Sequence, residues 1–187
     1  RMELCRPELE FALAREAEAG AIVDKLASGE LPLRVTHNDT KLNNILFDYD
    51  SRTPLCVIDL DTIMPGSALY DFGDSIRFGA STAAEDEKDL DKVWCDMELF
   101  RTYTEGFLEG CNGSLTELEV QMMPTGAKLM TLECGIRFLA DFLKGDTYFR
   151  THYQGQNLDR ARTQLKLVAD MESKWTTMHQ IVKECQK

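Results

Sequence analysis

Several signals of common functional classes are missing from this sequence. No apolar run approaches the roughly 18–20 residues of a membrane-spanning helix. The chain opens Arg1-Met2-Glu3-Leu4 and shows no basic, apolar, cleavable leader. Basic residues are scarce, because 21 Lys and Arg stand against 32 Asp and Glu, for a net charge of −11. Such a chain repels nucleic acid and anionic membranes, so we expect neither as a partner.

The cysteines form no recognisable site. No Cys-x-x-Cys pair occurs, and the six cysteines and three histidines show no zinc-ligand spacing. We therefore predict buried, free thiols in the reducing cytoplasm. The six are Cys5, Cys56, Cys95, Cys111, Cys134 and Cys185.

Apolar periodicity predicts a mainly α-helical fold around one small β-hairpin, which is an α+β arrangement. The hairpin strands are expected at residues 45–47 and 55–58, with turn-forming residues between them. The second strand is apolar at every position, so we expect it to be buried on both faces. Residues 64–67 are expected to form a loop, followed by a short helix over about 68–78.

Longer helices are predicted on either side of this region. An approximate helical spacing of apolar residues covers 7–28, and another apolar stripe runs over 90–107. A capping box is offered by Ser114 with Glu117 or by Thr116 with Glu119. A strict three-four spacing predicts a helix over 129–143, and a single last helix is expected over 158–185.

Polar residues with catalytic potential cluster between residues 37 and 61, which is non-helical. Phosphoryl transfer needs a carboxylate for the acceptor hydroxyl, oxygen ligands for Mg²⁺ and a cation near the transferred group. Asp39 can act as the base. Lys41 can reach the γ-phosphate, although an ordinary exposed lysine is the alternative. Asn44 and Asp59 offer the amide and carboxylate oxygens that suit Mg²⁺.

These residues resemble a known family. His37-x-Asp39-x-x-x-x-Asn44 is similar to the catalytic loop of protein kinases. With Asn38 after the histidine and Ile58-Asp59-Leu60-Asp61 further on, the segment looks more like the aminoglycoside phosphotransferase and choline kinase family. Within that family it resembles the N-acetylhexosamine kinases, which phosphorylate the anomeric hydroxyl of a sugar. The stretch from Tyr70 to Arg77 extends the likeness, which spans about residues 33–86.

The resemblance implies an enzyme of protein-kinase-like fold that uses ATP and Mg²⁺. It implies that Asp39 is the catalytic base and that Asn44 and Asp59 are metal ligands. His37 would brace the loop and be structural within the site. Asp61 stands where a protein kinase has glycine, and a second metal contact or a substrate contact are both open to it.

A second candidate for the metal ligand lies further along the chain. Asp71-Phe72-Gly73 spells the kinase metal tripeptide, but it is 32 residues after Asp39 and no apolar strand leads into it. Asp59 follows Asp39 by 20 residues and ends an apolar strand. We therefore assign the metal to Asp59 and expect Asp71 to brace the catalytic loop or to cap its helix. Arg77 is more consistent with a structural role than with a functional one.

Elements for clamping a nucleotide cannot be found. The 12 glycines include no Gly-x-Gly pair, and no strand-rich segment precedes residue 33. We therefore expect residues 1–187 to be the C-terminal lobe of a phosphotransferase, partnered by an N-terminal nucleotide lobe. The alternative is a short kinase-like scaffold or sugar-binding module without catalysis. The favoured acceptor is an N-acetylhexosamine or related sugar, and an aminoglycoside, choline or homoserine are alternatives.

Overall fold

The computed structural model describes residues 1–186, which form eight α-helices and four short strands. This confirms the predicted mainly α-helical fold with a small β component. No helix in the described chain is long and apolar enough to cross a membrane. The helices are α1 (Arg6–Leu13), α2 (Val23–Ser28), α3 (Ala68–Gly79), α4 (Met97–Cys111), α5 (Glu117–Gln121), α6 (Met123–Lys144), α7 (Gln156–Ser173) and α8 (Trp175–Cys185).

The strands form two antiparallel pairs. β1 (Arg34–Thr36) pairs with β4 (Met64–Gly66), and β2 (Ile45–Phe47) pairs with β3 (Pro54–Val57) as the predicted hairpin. The loop expected at residues 64–67 is therefore wrong for its first three residues, which are strand β4. Sequence reasoning missed this strand because its partner lies about 30 positions upstream, and a three-residue strand has no periodicity of its own.

The core forms around α6, which packs against α3 on one side and α7 on the other. The α3–α6 crossing is so close that a Cβ added at Gly73 would lie 2.4 Å from the carbonyl oxygen of Gly126. Gly73 is thus a packing residue. The aromatic side chains of Phe72 and Phe100 are fully buried beside this crossing and meet edge to face.

Two helices predicted as continuous are interrupted. The segment 7–28 breaks after α1, where Arg15 lies over the ring of Phe11 and pairs with Glu172 of α7 at 2.5 Å. The last helix breaks at Lys174, whose ammonium group donates to the carbonyl oxygen of Cys95 at 3.0 Å and to Asp170 at 2.7 Å. In both cases tertiary polar contacts override a local helical preference.

The expected burial of the second hairpin strand is also wrong. Every residue of β3 is exposed, with Leu55 65% and Val57 53% accessible. The hairpin projects from the helical body, so an apolar strand faces solvent on both sides. Cys56 is correspondingly exposed rather than buried, whereas Cys5 and Cys95 are buried; all six cysteines are free.

The capping box is the one formed by Thr116 and Glu119, whose side chains exchange hydrogen bonds with each other's backbone N–H groups. Glu119 is fully buried and also receives two hydrogen bonds from Arg34, at 2.9 and 2.7 Å. The same carboxylate therefore starts α5 and ties strand β1 to it. Because β1 leads directly into the catalytic loop, this contact fixes where the loop begins.

Asp141 organises the loop after α6, and we expect Asp141→Ala to destabilise the fold by about 3 kcal/mol. Its buried carboxylate accepts the N–H groups of Thr147, Tyr148 and Phe149 and the side-chain amide of Asn157, at 2.9–3.0 Å. The alanine variant leaves these donors without an acceptor. Urea unfolding measures the difference, with exposed Asp91→Ala as the control.

The same carboxylate gives this prediction a pH dependence. Burial would raise the pKa of Asp141, but the hydrogen bonds from the backbone outweigh it and hold the pKa below its ordinary value. A lowered folded-state pKa means that the stabilisation is complete above about pH 4 and is lost as the pH falls through the folded-state pKa. The difference between wild type and Asp141→Ala should therefore shrink in acid. A difference that grows in acid would contradict this assignment.

Candidate active site

The predicted catalytic loop connects β1 to β2 and ends in a 3₁₀ turn at Leu42–Asn44. Two hydrogen bonds join the start of this loop to the segment that leads from β3 into β4. Thr62 donates its hydroxyl to the carbonyl oxygen of His37 at 2.6 Å, and Thr36 donates to that of Met64 at 3.0 Å. These hydrogen bonds hold the loop against the segment that carries Asp59.

Asp39 lies at the centre of this loop with its carboxylate engaged by two donors. Lys41 Nζ donates to Asp39 Oδ2 at 2.6 Å, and Asn44 Nδ2 donates to the same oxygen at 2.7 Å. Partial burial would raise the pKa of Asp39, but these hydrogen bonds and the charge of Lys41 hold it below its ordinary value. Asp39 is therefore an anion at neutral pH, ready to accept a hydrogen bond from a hydroxyl group.

Asp71 holds the backbone of the same loop. Its Oδ2 accepts the N–H of His37 at 2.9 Å, and its Oδ1 accepts the N–H of Asn38 at 2.8 Å. Thr40 adds a bond from its hydroxyl to the carbonyl oxygen of Asp71 at 2.6 Å. The N-cap of α3 is Ser67, so Asp71 does not cap its helix. Both carboxylate oxygens face loop amides, an arrangement that suits a brace rather than a metal ligand.

His37 links Asp39 to the segment before Asp59. The backbone N–H of Asp39 donates to His37 Nδ1 at 3.3 Å, which places the proton of a neutral ring on Nε2. His37 Nε2 lies 3.1 Å from the carbonyl oxygen of Ile58 and donates to it. The imidazole ring therefore links the loop that carries Asp39 to the segment that carries Asp59.

Asp59 and Asp61 are exposed, and the structure gives neither carboxylate a hydrogen bond or an ion pair within residues 1–186. Asp59 has φ 63°, in the left-handed region. This conformation costs energy for a residue with a side chain, and such residues cluster at functional sites. Asn44 uses its amide nitrogen on Asp39, which leaves its carbonyl oxygen as a possible ligand.

The available oxygens fit Mg²⁺. The donors are two carboxylates and one amide carbonyl, all hard ligands. No group of three or more His, Cys, Asp or Glu side chains is arranged to hold a metal within the described chain. Protein sites commonly hold Mg²⁺ through one or two carboxylates plus substrate phosphates. Asn44, Asp59 and Asp61 are the residues that would provide the protein's share of its ligands.

A comparison with protein families matches residues 2–103 to the phosphotransferase enzyme family. The chain belongs to this family. The match covers more than half of the 187 residues and includes the whole loop, Asp59 and Asp71. Membership indicates a kinase-type phosphotransferase of protein-kinase-like fold, in a family that generally uses ATP and Mg²⁺.

The site of this phosphotransferase also contains residues that sequence reasoning passed over. Asn38 adopts φ 63° and donates its side-chain amide to the carbonyl oxygen of Thr62 at 3.0 Å. Thr36, Thr40 and Thr62 make the hydrogen bonds described above. An Asn within a loop is a weak signal for left-handed backbone, because Asn tolerates it better than most residues. The threonines carried no signal that separates them from ordinary loop residues.

A cavity of about 370 Å³ borders the catalytic loop of this phosphotransferase at Asn38. Its walls are mostly apolar and come from α2, α3 and α6. The hydroxyl group of Tyr70 and the carboxylate of Glu133 are its main polar groups, and burial raises the pKa of both. Further lining residues are Ile22, Leu129, Met130 and Ile136.

A second surface of the phosphotransferase is apolar and open. It consists of large side chains on β1, on the β2–β3 hairpin and on the segment after Asp59. Val35 is 84% accessible, and Leu60 and Met64 are each more than half exposed. We call it the open apolar surface; its members are Leu33, Val35, Leu46, Phe47, Leu55, Val57, Leu60, Ile63 and Met64.

Proposed function

We propose that this chain is the C-terminal lobe of an ATP- and Mg²⁺-dependent kinase that phosphorylates a hydroxyl group of a small molecule. The observation that carries the proposal is the Asp39 carboxylate, which Lys41 and Asn44 hold as an anion, while the backbone of Asn44 binds Ile58, the residue next to Asp59. A solvated polar loop with only a structural role would not require the side chains of Asp39, Lys41 and Asn44 to contact one another. Family membership supports the same reaction class.

Each residue has a proposed task. Asp39 orients the acceptor hydroxyl and accepts its proton as the new bond to phosphorus forms. The partly exposed Lys41 places Nζ 2.6 Å from Asp39 Oδ2. Its ammonium group can leave this contact and bind a phosphate oxygen instead. Asn44, Asp59 and Asp61 would hold Mg²⁺, which neutralises charge on the phosphates when bound. His37 and Asp71 keep the loop in place and touch no reacting atom.

The open apolar surface supports a nucleotide-binding lobe as the partner of this chain. Its nine large apolar side chains are exposed on the segments that adjoin the predicted catalytic loop, and an accumulation of exposed apolar residues is typical of an interaction site. A lobe seated on the β2–β3 hairpin would cover it and bring ATP to Asp59. The free cysteines support a reducing, cytoplasmic location.

The proposed acceptor is an N-acetylhexosamine or a related sugar. The cavity beside Asn38 has the size of a small-molecule site, for which about 300–1,000 Å³ is typical. An apolar wall with a few polar groups suits a compact acceptor that carries an acetyl or other apolar group. The preference for a sugar over an aminoglycoside, choline or homoserine rests on the motif resemblance.

An ADP-release assay tests the function. Residues 1–187 alone are expected to turn over no ATP, because nothing in the described chain covers the nucleotide. The same chain joined to a nucleotide lobe is expected to release ADP with one class of acceptor in a panel of N-acetylhexosamines, amino sugars, choline and homoserine. Steady-state turnover by residues 1–187 would overturn the two-lobe proposal. No turnover by the joined enzyme with any acceptor would favour an inactive scaffold.

A further inference from the structure

Helix α3 carries two polar clusters at opposite ends. Near its N-terminus, Asp71 grips the amides of His37 and Asn38. Six residues further on, Arg77 is buried and donates twice to Asp74 Oδ1, at 3.0 and 2.9 Å. An α-helix is stiff along its axis. A contact that fixes the position of Arg77 therefore also fixes the position of Asp71 relative to the loop.

Arg77 is held from outside the helix by Glu85. Its Nη1 donates to Glu85 Oε1 at 3.1 Å, and the other oxygen of Glu85 lies 3.6 Å from Nε of Arg160 on α7. Two guanidinium groups and two carboxylates thus alternate across the gap between α3 and α7. Asp74 binds Nε and Nη2 of Arg77 through Oδ1 alone, which leaves Nη1 to Glu85, and Asp74 Oδ2 has no hydrogen-bond partner within the described residues.

Glu85 lies on a loop that hydrogen bonds hold to the rest of the fold. Residues 82–94, here called the acidic loop, leave and rejoin the fold at a Ser81–Cys95 bridge, where Asp96 N donates to the carbonyl oxygen of Ala80 at 2.8 Å. On α7, Gln156 donates to Asp86 at 2.7 Å, and Thr163 donates to the backbone carbonyl of Glu87 at 3.1 Å. The loop therefore transmits the position of α7 to Glu85.

We propose that Glu85 is a positioning residue: by joining Arg77 on α3 to Arg160 on α7, it holds α3 where Asp71 can grip the catalytic loop. Without the Glu85 charge, the buried guanidinium of Arg77 keeps only its ion pair with Asp74 among the described residues, and Arg160 loses its carboxylate neighbour on the acidic loop. An uncompensated charge in such a place is strongly unfavourable, and a shift of α3 toward solvent relieves it. Glu85 acts only through Arg77 and Asp71 and touches no reacting atom.

Amide hydrogen exchange in residues 1–187 tests the structural part. Glu85→Gln removes the charge and keeps the shape. Its control is Glu87→Gln, which makes the same charge change on the same loop but removes a carboxylate whose one contact is the N–H of Asp89. We expect the His37 and Asn38 amides to exchange several-fold faster in Glu85→Gln alone, well below its unfolding transition. Unchanged exchange there, with only a lowered Tm, would overturn the proposal.

Kinetics of the enzyme with its nucleotide lobe test the consequence, which rests on the proposed function. Glu85→Gln should lower kcat by roughly tenfold and leave KM for ATP and acceptor nearly unchanged. In an Asp71→Asn background the same change should add almost nothing, because both act through one contact. Additive losses would contradict the positioning role. An inactive wild-type enzyme would refute the proposed function and leave the exchange result standing.

Discussion

Replacing Asp39 by asparagine is expected to lower kcat by about 100-fold or more, the scale of losing a general base. Asparagine has the same size and can still accept from Lys41 or Asn44, so the loop should keep its shape. It cannot take the proton of the acceptor hydroxyl. The loss should therefore appear in kcat with KM for ATP little changed, measured by ADP release in the enzyme with its nucleotide lobe.

Asp50→Asn is the matched control, because Asp50 is exposed in the turn of the neighbouring hairpin and undergoes the same chemical change. It should retain wild-type kcat. A loss of only a few-fold in Asp39→Asn would remove Asp39 from the role of base. Circular dichroism and Tm should match in all three proteins, which separates chemistry from folding.

The pH profile gives a second reading of the same residue. Since the folded-state pKa of Asp39 is below its ordinary value, the carboxylate is ionised throughout the neutral range. The base is lost only as the pH falls through that lowered pKa, below about 4. Any acid limb of kcat/KM observed near neutral pH must then belong to another group. A limb near pH 6 that vanished in Asp39→Asn would contradict the assignment.

Local signals predicted much of this fold correctly. The hairpin was marked by an apolar run on each side of turn residues, and α3 by the helical segment predicted over about 68–78. Helix α6 ends at Gly145, whose φ of 103° is the left-handed cap that glycine provides. In each case the information lies within a few neighbouring residues, where propensity and turn chemistry act.

What could not be predicted depends on contacts between distant segments. Strand β4 exists because β1 pairs with it, and the break at Lys174 exists because Cys95 offers a carbonyl oxygen 79 positions away. The exposure of β3 is of the same kind. An apolar strand indicates that another segment packs against its side chains, but it does not indicate whether that segment belongs to the same chain.

The candidate site shows the same division. The motif spacing predicted that His37, Asp39, Lys41 and Asn44 belong to one site. In the structure each of the other three makes a hydrogen bond with Asp39. The contact of Asp71 with the loop amides spans more than 30 positions and was predicted only by excluding the alternative. Glu85 could not be found from sequence at all, because an acidic residue in an acidic loop is normally solvated, and its partner Arg160 is 75 positions away.

Mg²⁺ titration of two alanine variants is expected to separate the two aspartates that compete for the metal. Asp59→Ala should lose about 100-fold or more in kcat, with part of the loss recovered at high Mg²⁺, because one ligand oxygen is missing. Asp71→Ala should also lose activity, since two loop amides lose their acceptor, but its dependence on Mg²⁺ should equal that of the wild type. Initial rates at saturating ATP over a range of free Mg²⁺ give both values.

The two variants should also differ without any metal. Asp71→Ala removes two backbone contacts and should lower the Tm of residues 1–187, whereas Asp59→Ala removes an exposed carboxylate that has no polar contact in the described chain. Asp59→Ala should change the Tm only slightly, because removing one exposed charge from a chain of net charge −11 is offset by the poorer fit of alanine than of aspartate to φ 63°. The reverse pattern, with Mg²⁺ rescue in Asp71→Ala and instability in Asp59→Ala, would exchange their roles. The carboxylate of Asp59 makes no polar contact within the described residues, and the titration measures whether it binds Mg²⁺.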